Sequence, residues 1–357
     1  MAHFLNIALN GGMTINQEAG TLRGEGVKIP LPGTEGGGGA YGCDEWRGLR
    51  KMTSHPSAVS VQQVADAPPG FGASLKMTVE SSAAGMDDED YLCFTQAVGS
   101  DQAADLAYGT PGAQCSSLSF WFRSSIGGIF GGNLATTYAK GLDDPQARAL
   151  AWLYDYVPAD TWTYMTVKNI PGCPHGEWNN SGSGHWGYLN PISVCMGGAW
   201  FAKAARVWQQ ADCGTLPQQT NVHLQTPGAS CLITGVMWAP GPHAVPYRFQ
   251  PLELQRCQSR FEKSYSQGAR PGEITREGAG CMTRAQSERF CVEKARKPVM
   301  TLYSPTTGAP GVVHDSQAHR DIPPSFVESG TRGFAIAADS AAGPCFYHWT
   351  ANARFVP

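Results

Sequence analysis

The sequence predicts a mainly β protein, with an antiparallel β-sandwich, one linking α-helix and a small C-terminal β unit. Short runs in which apolar and polar residues alternate are the first reason, because alternation marks half-buried strands. The second is composition: 43 Gly and 25 Pro stand among 357 residues, and charged residues reach only 15%. Low charge with many turn formers is typical of short strands joined by loops. The third is that amphipathic helices do not separate the runs, which favours antiparallel pairing.

The predicted strands fall where the pattern has a period of two. In one run Leu118, Phe120 and Phe122 face one side, and the residues between them face the other. Turn clusters such as Pro68-Pro69-Gly70 separate these runs. The predicted strands of the sandwich include residues 75–79, 118–123, 162–167, 222–224 and 232–238.

Domain boundaries follow from changes in the pattern. The predicted domains are a Gly- and Pro-rich N-terminal segment at 1–50, the sandwich at 51–248, the linking helix at 249–267 and the C-terminal β domain at 268–357. We expect the N-terminal segment to contribute strands to the sandwich, and it is a candidate docking region. Within it, the run from Gly36 to Gly39 predicts a loop, because glycine loses much backbone entropy in a strand.

One helix follows the sandwich. Leu254, Cys257 and Phe261 recur at intervals of three and four residues and Tyr265 continues the series, which places all four on one helix face. Pro251 fits the first turn, where its missing N–H is not needed. The alternating pattern then returns and predicts further strands near residues 299–303, 334–336 and 345–349.

Charge and hydropathy exclude two classes of partner. The formal net charge is −3 and no stretch is dominated by Lys and Arg, so nucleic acid is not an expected partner. No apolar run reaches the roughly 18 residues of a membrane span. The N-terminus lacks a charged region followed by an apolar one, so we expect synthesis in a cytoplasm without a Sec signal.

Eleven cysteines are many for such a chain, and none are spaced as Cys-x-x-Cys. Closely spaced ligand pairs mark zinc ribbons and knuckles, so a structural zinc site is not expected. Two interpretations stay open. Most of the cysteines are buried thiols that act as small apolar side chains, or several form disulfides once the protein leaves the reducing cytosol.

A dense acidic cluster precedes the strand predicted to begin at Tyr91. Its aspartates are Asp87, Asp88 and Asp90. A solvated turn that bounds the strand is the first interpretation. A calcium site, which needs several convergent oxygens, is the second, and paired catalytic carboxylates are the third. No other cofactor is expected.

The best ligand candidate is the stretch 173–188, in which aromatic, Asn and His residues stand among glycines. Exposed aromatic rings offer flat apolar faces to the C–H faces of sugars, while amide and imidazole groups meet the hydroxyls. Packing of both tryptophans in the core or against a neighbouring subunit is the alternative. The candidate residues for glycan contact are His175, Trp178, Asn179, Asn180, His185, Trp186 and Tyr188.

No catalytic constellation stands out in the sequence. The nine His residues are scattered and do not form a His-Glu-x-x-His motif. A Gly-x-Ser-x-Gly elbow between a strand and a helix is also missing. We therefore predict no catalytic residue.

Several short sequence motifs, in order along the chain, resemble those of a recurrent module of bacteriophage structural proteins found in tail fibres, spikes and head fibres. The most specific is the join from Ile233 through Pro246 to Tyr265. Members open with a phrase like residues 6–11 and continue with a Tyr-x-x-Asp-x-Trp phrase, matched at 41–46. Further similar stretches are 118–125, 159–164, 170–172, 176–178, 299–305, 330–334 and 348–351.

This resemblance implies a jelly-roll sandwich, like a carbohydrate-binding module, on a virion, and it brings no catalytic residue. The expected function is that of a non-enzymatic fibre, spike or head-decoration component, assembled in the host cytoplasm and exposed on the particle. The expected partners are further copies of the chain, with a trimer favoured, other virion proteins and host-surface polysaccharide. Two alternatives stay open: a polysaccharide-degrading spike enzyme, and a purely architectural particle protein without a ligand.

Overall fold

Two antiparallel β-sheets and a smaller β unit make up the structure, a computed structural model that describes residues 6–19, 26–32, 37–136, 146–181, 184–210 and 213–355. The chain divides into two compact units. Unit 1 comprises Met1–Thr14 and Arg23–Pro251, and unit 2 comprises Ile15–Leu22 and Leu252–Pro357. Each unit has its own hydrophobic core.

Unit 1 has twelve strands in its described residues. They are β1 Ile29–Pro30, β2 Gly38–Cys43, β3 Trp46–Lys51, β4 Ala58–Val64, β5 Ser74–Ser81, β6 Tyr91–Gly99, β7 Ser116–Ser124, β8 Gly131–Ala135, β9 Ala149–Leu153, β10 Thr163–Ile170, β11 His185–Met196 and β12 Ser230–Pro240. A short helix, α1 (Ser100–Ala103), follows β6.

These strands form two six-stranded sheets. Sheet A has the order β1-β4-β5-β12-β7-β10, and sheet B has the order β2-β3-β6-β11-β8-β9. The pairings within both sheets are antiparallel. After β3 the chain crosses repeatedly from one sheet to the other, as in a jelly roll. The predicted antiparallel sandwich is confirmed.

Side chains that alternate along the strands fill the space between the two sheets. Leu118, Phe120 and Phe122 of β7 are fully buried, as their period of two predicts. Phe94 and Trp152 of sheet B belong to the same core. Fully burying one such side chain contributes about 1.5–3 kcal/mol, so this core is the main source of stability in unit 1.

The N-terminal residues that the structure describes are packed into the sandwich. Asn6 donates its side-chain amide to the Val236 carbonyl at 2.8 Å and accepts the Trp238 N–H at 2.9 Å. Ile7 and Ala8 are buried. The early part of the predicted segment 1–50 therefore lies beside β12 and is part of the sandwich.

Glycine-rich β2 differs from the loop that the sequence predicts. Gly38 and Gly39 lie in the strand, so the prediction of a loop at these two positions is wrong; Gly36 lies outside the described residues. A Cβ added at Gly39 would stand 2.8 Å from the Gly48 carbonyl oxygen and 3.0 Å from the guanidinium of Arg47. Close approach of β3 explains why glycine is found in this strand.

Unit 2 has one helix, α2 (Glu253–Gln258), and nine strands in its described residues. The strands are β13 Phe261–Lys263, β14 Gly280–Met282, β15 Ala285–Arg289, β16 Val299–Tyr303, β17 Val313–Asp315, β18 Arg320–Ile322, β19 Phe326–Ser329, β20 Gly333–Ala337 and β21 Cys345–Asn352. Strand β21 pairs with β13, β14, β16 and β17, and a separate sheet has the order β15-β20-β19. The predicted small C-terminal β unit is confirmed.

The linking helix is shorter than the predicted span 249–267. It ends at Gln258, and Phe261–Lys263 form β13 instead. Phe261 pairs with Asn352 of β21 and is still buried. Pairing with a strand distant in sequence therefore overrides the local helical period. Neither helix in the described part of the chain is long and apolar enough to cross a membrane.

Eight of the eleven cysteines are buried in this structure. Cys115 is half-buried, while Cys281 and Cys291 are exposed. Burial raises the pKa of Cys195 to about 12, so its thiol stays protonated at neutral pH. This arrangement favours the interpretation of the cysteines as small apolar side chains.

Candidate functional site

The stretch 173–188 contains the two tryptophans of the predicted glycan site. Trp178 is 7% exposed and Trp186 is fully buried. Their ring centroids are 4.3 Å apart, and both rings contact Tyr108, at 5.1 and 5.2 Å. Trp208 and Trp238 extend this cluster. The rings pack against one another in the core, which is the alternative that the sequence leaves open.

Polar side chains of the same stretch fix the cluster in place. Asn180 donates to the Tyr108 carbonyl at 2.6 Å and accepts the indole N–H of Trp186 at 3.0 Å. The structure thus brings Trp178, Trp186 and Asn180 together around one buried tyrosine. The remaining candidates are exposed or half-buried: His175, Asn179, His185 and Tyr188. Sugar contact by these four stays a prediction, while the two indoles have too little exposed area for stacking.

The acidic cluster forms the turn before β6. Asp90 accepts the Thr53 N–H at 2.7 Å and the Asp87 N–H at 2.8 Å. Asp87 accepts the Ser54 N–H at 2.9 Å, and Asp88 is exposed. Within the described ranges, no three His, Cys, Asp or Glu side chains are arranged to hold a metal ion. Because Asp87 and Asp90 bind backbone N–H groups, the cluster forms the strand-bounding turn, and calcium binding by these aspartates stays a prediction.

Two serine–histidine contacts in the described residues resemble parts of a hydrolase site. Ser124 Oγ lies 2.7 Å from His223 Nε2, and both residues are buried. Ser264 Oγ lies 2.9 Å from His348 Nδ1 and also accepts the Trp349 N–H at 2.9 Å. A catalytic nucleophile must be reachable by a substrate. The buried Ser124–His223 contact is therefore structural, whereas Ser264 is half-buried.

Partly exposed aromatic side chains gather on the outer face of sheet A. Since Phe120 and Phe122 point into the core, Trp121 between them points outward. Trp121 pairs across the strands with Tyr164 of β10, their ring centroids are 5.2 Å apart, and Tyr164 is 39% exposed. Trp162, just before β10, lies beside them, with the Arg123 guanidinium 5.3 Å from its ring centroid.

Two loops bring further rings to this face. Phe71 comes from the loop between β4 and β5, Tyr247 comes from the segment after β12, and their centroids are 5.6 Å apart. The two groups of rings meet at Gly235 of β12. A Cβ added there would stand 2.7 Å from Phe71 and 3.3 Å from Trp121, so both rings lie against this glycine. We call Phe71, Trp121, Trp162, Tyr164 and Tyr247 the aromatic platform.

Hydrogen bonds to the outward serines of β7 hold the segment that carries Tyr247. Ser117 Oγ donates to the Gly241 carbonyl at 2.6 Å, and Ser119 Oγ donates to the Val245 carbonyl at 2.5 Å. The segment 241–247 therefore crosses the outer side of β7 and positions Tyr247 beside Phe71. The platform is thus built from strands β7 and β10 and two loops fixed to sheet A.

Charged groups stand beside the rings. Arg123 and Asp66 form a two-point ion pair, with Arg123 Nη1 3.1 Å from Asp66 Oδ1. Lys76 of β5 lies on the same face, one strand beyond β12. A guanidinium offers five donors and a carboxylate only acceptors. The outer face of sheet A thus combines flat apolar surface with hydrogen-bonding groups for a polar ligand.

Sequence reasoning missed the aromatic platform, although part of its signal is present. Trp121 stands at the polar position of an alternating run, and Trp162 and Tyr164 share one face of another. A large aromatic residue on the solvent side of two strands is the pattern that could have indicated the site. Phe71 and Tyr247 carry no such signal, because the course of a loop depends on tertiary contacts.

No protein-family model matches this chain, and no curated protein matches it. Similar solved structures are carbohydrate-binding modules. The family 11 module from Clostridium thermocellum, in complex with a β-1,3-1,4-mixed-linked tetrasaccharide, is 10% identical with a TM-score of 0.29, over 63% of this chain and 100% of that one. The xylan-binding CBM22-1 domain from Paenibacillus barcinonensis Xyn10C is 10% identical with a TM-score of 0.27, over 56% of this chain and 87% of that one. At these scores the likeness carries no argument about family or ligand.

Proposed function

We propose that this chain is a non-catalytic glycan-binding protein and that the aromatic platform is its binding surface. The observation that carries the proposal is the gathering of five partly exposed rings on one face of sheet A. Contiguous exposed apolar surface marks a site of interaction. Rings beside a guanidinium and a carboxylate suit a ligand with both apolar C–H faces and hydroxyl groups.

We further propose that the chain belongs to a bacteriophage particle, as a fibre, spike or head-decoration component, and contributes to attachment to host-surface polysaccharide. The ordered resemblance of residues 6–11, 41–46 and 233–265 to phage structural proteins supports this role. Its partners on the particle would be other virion proteins and further copies of itself. Electron microscopy of particles with an antibody against this chain tests the location, and particles that carry no label would contradict it.

Substitution of platform rings tests the binding surface. Truncation of an aromatic side chain that contacts a ligand should cost about 1 kcal/mol, so Trp121→Ala and Tyr164→Ala should each weaken glycan binding about fivefold. Affinity electrophoresis against capsular polysaccharide and lipopolysaccharide measures the change. Both side chains point away from the core, so the variants should keep the wild-type circular dichroism spectrum.

Trp200 supplies the matched control. It is half-buried and packs edge-on against Tyr91 at 5.5 Å, away from the platform. Trp200→Ala should leave glycan affinity unchanged, and equal affinity of all three variants and the wild type would refute the platform. A reducing-sugar assay on the same polysaccharides separates binding from cleavage, since sugar release by the wild type would favour the spike enzyme.

A further inference from the structure

The three-stranded sheet of unit 2 has a largely exposed outer face. Phe334 and Ile336 of β20 point into the core of unit 2, so the residues between and beside them point outward. The strand register places the outward residues in rows across β15, β20 and β19: Ala285, Ala337 and Phe326; Ser287, Ala335 and Glu328; and then Arg289 with Gly333. The central strand therefore presents only glycine and alanine between two flanking strands with larger side chains.

The flanking strands carry opposite charges. Arg289 lies on β15 and Glu328 on β19, and both are exposed. In the part of the chain that the structure describes, neither side chain has a hydrogen-bond or ion-pair partner. A groove of about 660 Å³ runs between them, and its lining includes Ser287, Ala335 and Gly333. Arg289 and Glu328 thus lie diagonally across a shallow channel, in neighbouring rows, without meeting.

An aromatic side chain stands at the edge of the same face. Phe326 is 46% exposed and lies in the row that ends at Ala285 on the opposite strand. The Phe326 ring projects from β19, and the small Ala285 side chain on β15 leaves a recess. The face therefore has an apolar pair, Phe326 and Ala285, and a charged pair, Glu328 and Arg289. In each pair one residue lies on β19 and the other on β15.

We propose that this face binds the same face of a second copy of the chain. A two-fold axis along the strand direction places β15 of one copy over β19 of the other and keeps each row at its own height. Phe326 of each copy then covers Ala285 of the other, and the long side chain of Arg289 extends along the strand to Glu328 in the neighbouring row of the other copy. A surface that complements itself in this way is what an isologous contact requires.

The expected contact is weak. Three strands at about 4.8 Å spacing and five residues at about 3.4 Å give a face of roughly 250 Å². Stable complexes bury about 800 Å² on each partner. We therefore expect a dissociation constant of about 0.1–1 mM, which matters where several copies are held close together.

Sedimentation equilibrium of the full-length protein, from about 10 µM to 1 mM, tests the proposal. The wild type should show an apparent mass that rises with concentration. Arg289→Glu places like charges in both ion pairs, so association should weaken at least about tenfold. The double variant R289E/E328R exchanges the two charges and should restore wild-type association.

Arg320→Glu is the control, because Arg320 is an exposed arginine on β18 of the same unit and its reversal changes the net charge equally. This variant should associate like the wild type. A mass independent of concentration would overturn the proposal. So would an Arg289→Glu variant that associates like the wild type, or a double variant as weak as the single one, because these results would place the contact elsewhere.

Discussion

His223 is buried in the core of unit 1, and only one of its ring nitrogens is bonded. Ser124 Oγ donates to the Ile126 carbonyl at 2.7 Å, so it accepts from His223 Nε2 at 2.7 Å. Nδ1, the atom that must take up a proton, has no hydrogen-bond partner among the described residues. Burial lowers the pKa of His223 to about 4, so the ring is neutral in the folded protein above that pH.

This histidine predicts a loss of stability in mild acid. In the unfolded chain its pKa is about 6.5, so between about pH 6.5 and 4 the unfolded state binds a proton that the folded state does not. The free energy of unfolding should be independent of this group above pH 6.5, fall through that window by about 3 kcal/mol, and level off below pH 4. Urea unfolding monitored by tryptophan fluorescence, repeated from neutral to acidic pH, measures it.

The control variant is His223→Gln, whose amide can still reach Ser124 and does not titrate. Apart from removing this titration, the substitution changes the free energy of unfolding by an amount that does not depend on pH. Between pH 6.5 and 4, the free energy of unfolding should therefore fall less steeply with pH in this variant than in the wild type. Carboxyl groups do not obscure this difference. For example, backbone N–H groups that bind the Asp315 carboxylate lower its pKa, so the stability that this group contributes is lost only at more acidic pH. Identical slopes for the two proteins would show that His223 does not cause the loss.

Strand β12 positions the aromatic platform through a bulge. Its register with β7 shifts between Thr234 and Met237, and Gly235 within that bulge has φ +67°. Bulges increase local twist and change the direction of side chains. The absent side chain leaves room for the rings of Phe71 and Trp121, so one backbone irregularity makes the platform continuous.

Gly235→Ala should therefore disrupt the platform. The left-handed backbone costs a side chain about 1–2 kcal/mol, and the new Cβ would stand 2.7 Å from the Phe71 ring, which must move. Gly228→Ala is the matched control, because it has φ +76° and an added Cβ meets nothing within 4 Å. Both variants should lose similar stability in urea unfolding, but only Gly235→Ala should weaken polysaccharide binding in affinity electrophoresis. Equal binding by the two variants would show that the position of Phe71 does not matter.

Strands with one buried face could be predicted from the sequence, because burial of alternate residues leaves a local pattern. The run 118–123 is an example: it lies within β7 as predicted. Phe261 fits a helical period equally well, and only its pairing with Asn352 makes it part of a strand. Gly38 lies in β2 despite its poor strand propensity, because neighbouring strands supply the hydrogen bonds. Where long-range pairing decides, local sequence cannot predict the element.

In the candidate site, too, the exposure of some residues could be predicted from the sequence and that of others could not. Trp178 and Trp186 stand among polar residues and glycines in the sequence, yet contacts with distant Tyr108 bury them. Trp121 and Tyr164 follow the outward phase of their strands, so their exposure could be predicted. Phase along a strand is local information, whereas the packing of a loop residue depends on the whole fold.

At the scale of the whole molecule, the main hydrophobic clusters of the two units share no residue in the described part of the chain. Nine of the ten tryptophans lie in unit 1, and Trp349 alone lies in unit 2. We therefore expect the two units to unfold as separate cooperative transitions. Tryptophan fluorescence therefore reports mainly on unit 1, while calorimetry reports on both.

A buried ion pair makes the stability of unit 2 sensitive to substitution of either partner. The side chains of Lys294 and Glu262 are 0% and 2% exposed. Lys294 also donates to the Gln258 carbonyl at 2.8 Å, and Glu262 accepts the Cys291 N–H at 2.9 Å. Burial lowers the pKa of Lys294, which shows the cost of keeping this charge inside. Removal of one partner leaves the other charged and buried, at a cost of about 3–5 kcal/mol.

Two substitutions should separate the units in differential scanning calorimetry. Trp186→Ala empties part of the core of unit 1 and should cost about 3–5 kcal/mol, whereas Lys294→Met should cost unit 2 a similar amount. Trp186→Ala should lower the thermal transition of unit 1 by roughly 10 °C, and Lys294→Met should lower that of the smaller unit 2 by roughly 15–20 °C. Each change should leave the other transition in place, and only Trp186→Ala should shift the fluorescence transition. Lys297→Met, an exposed change three residues away, should shift neither. If either variant lowered both transitions together, the prediction that the two units unfold separately would be wrong.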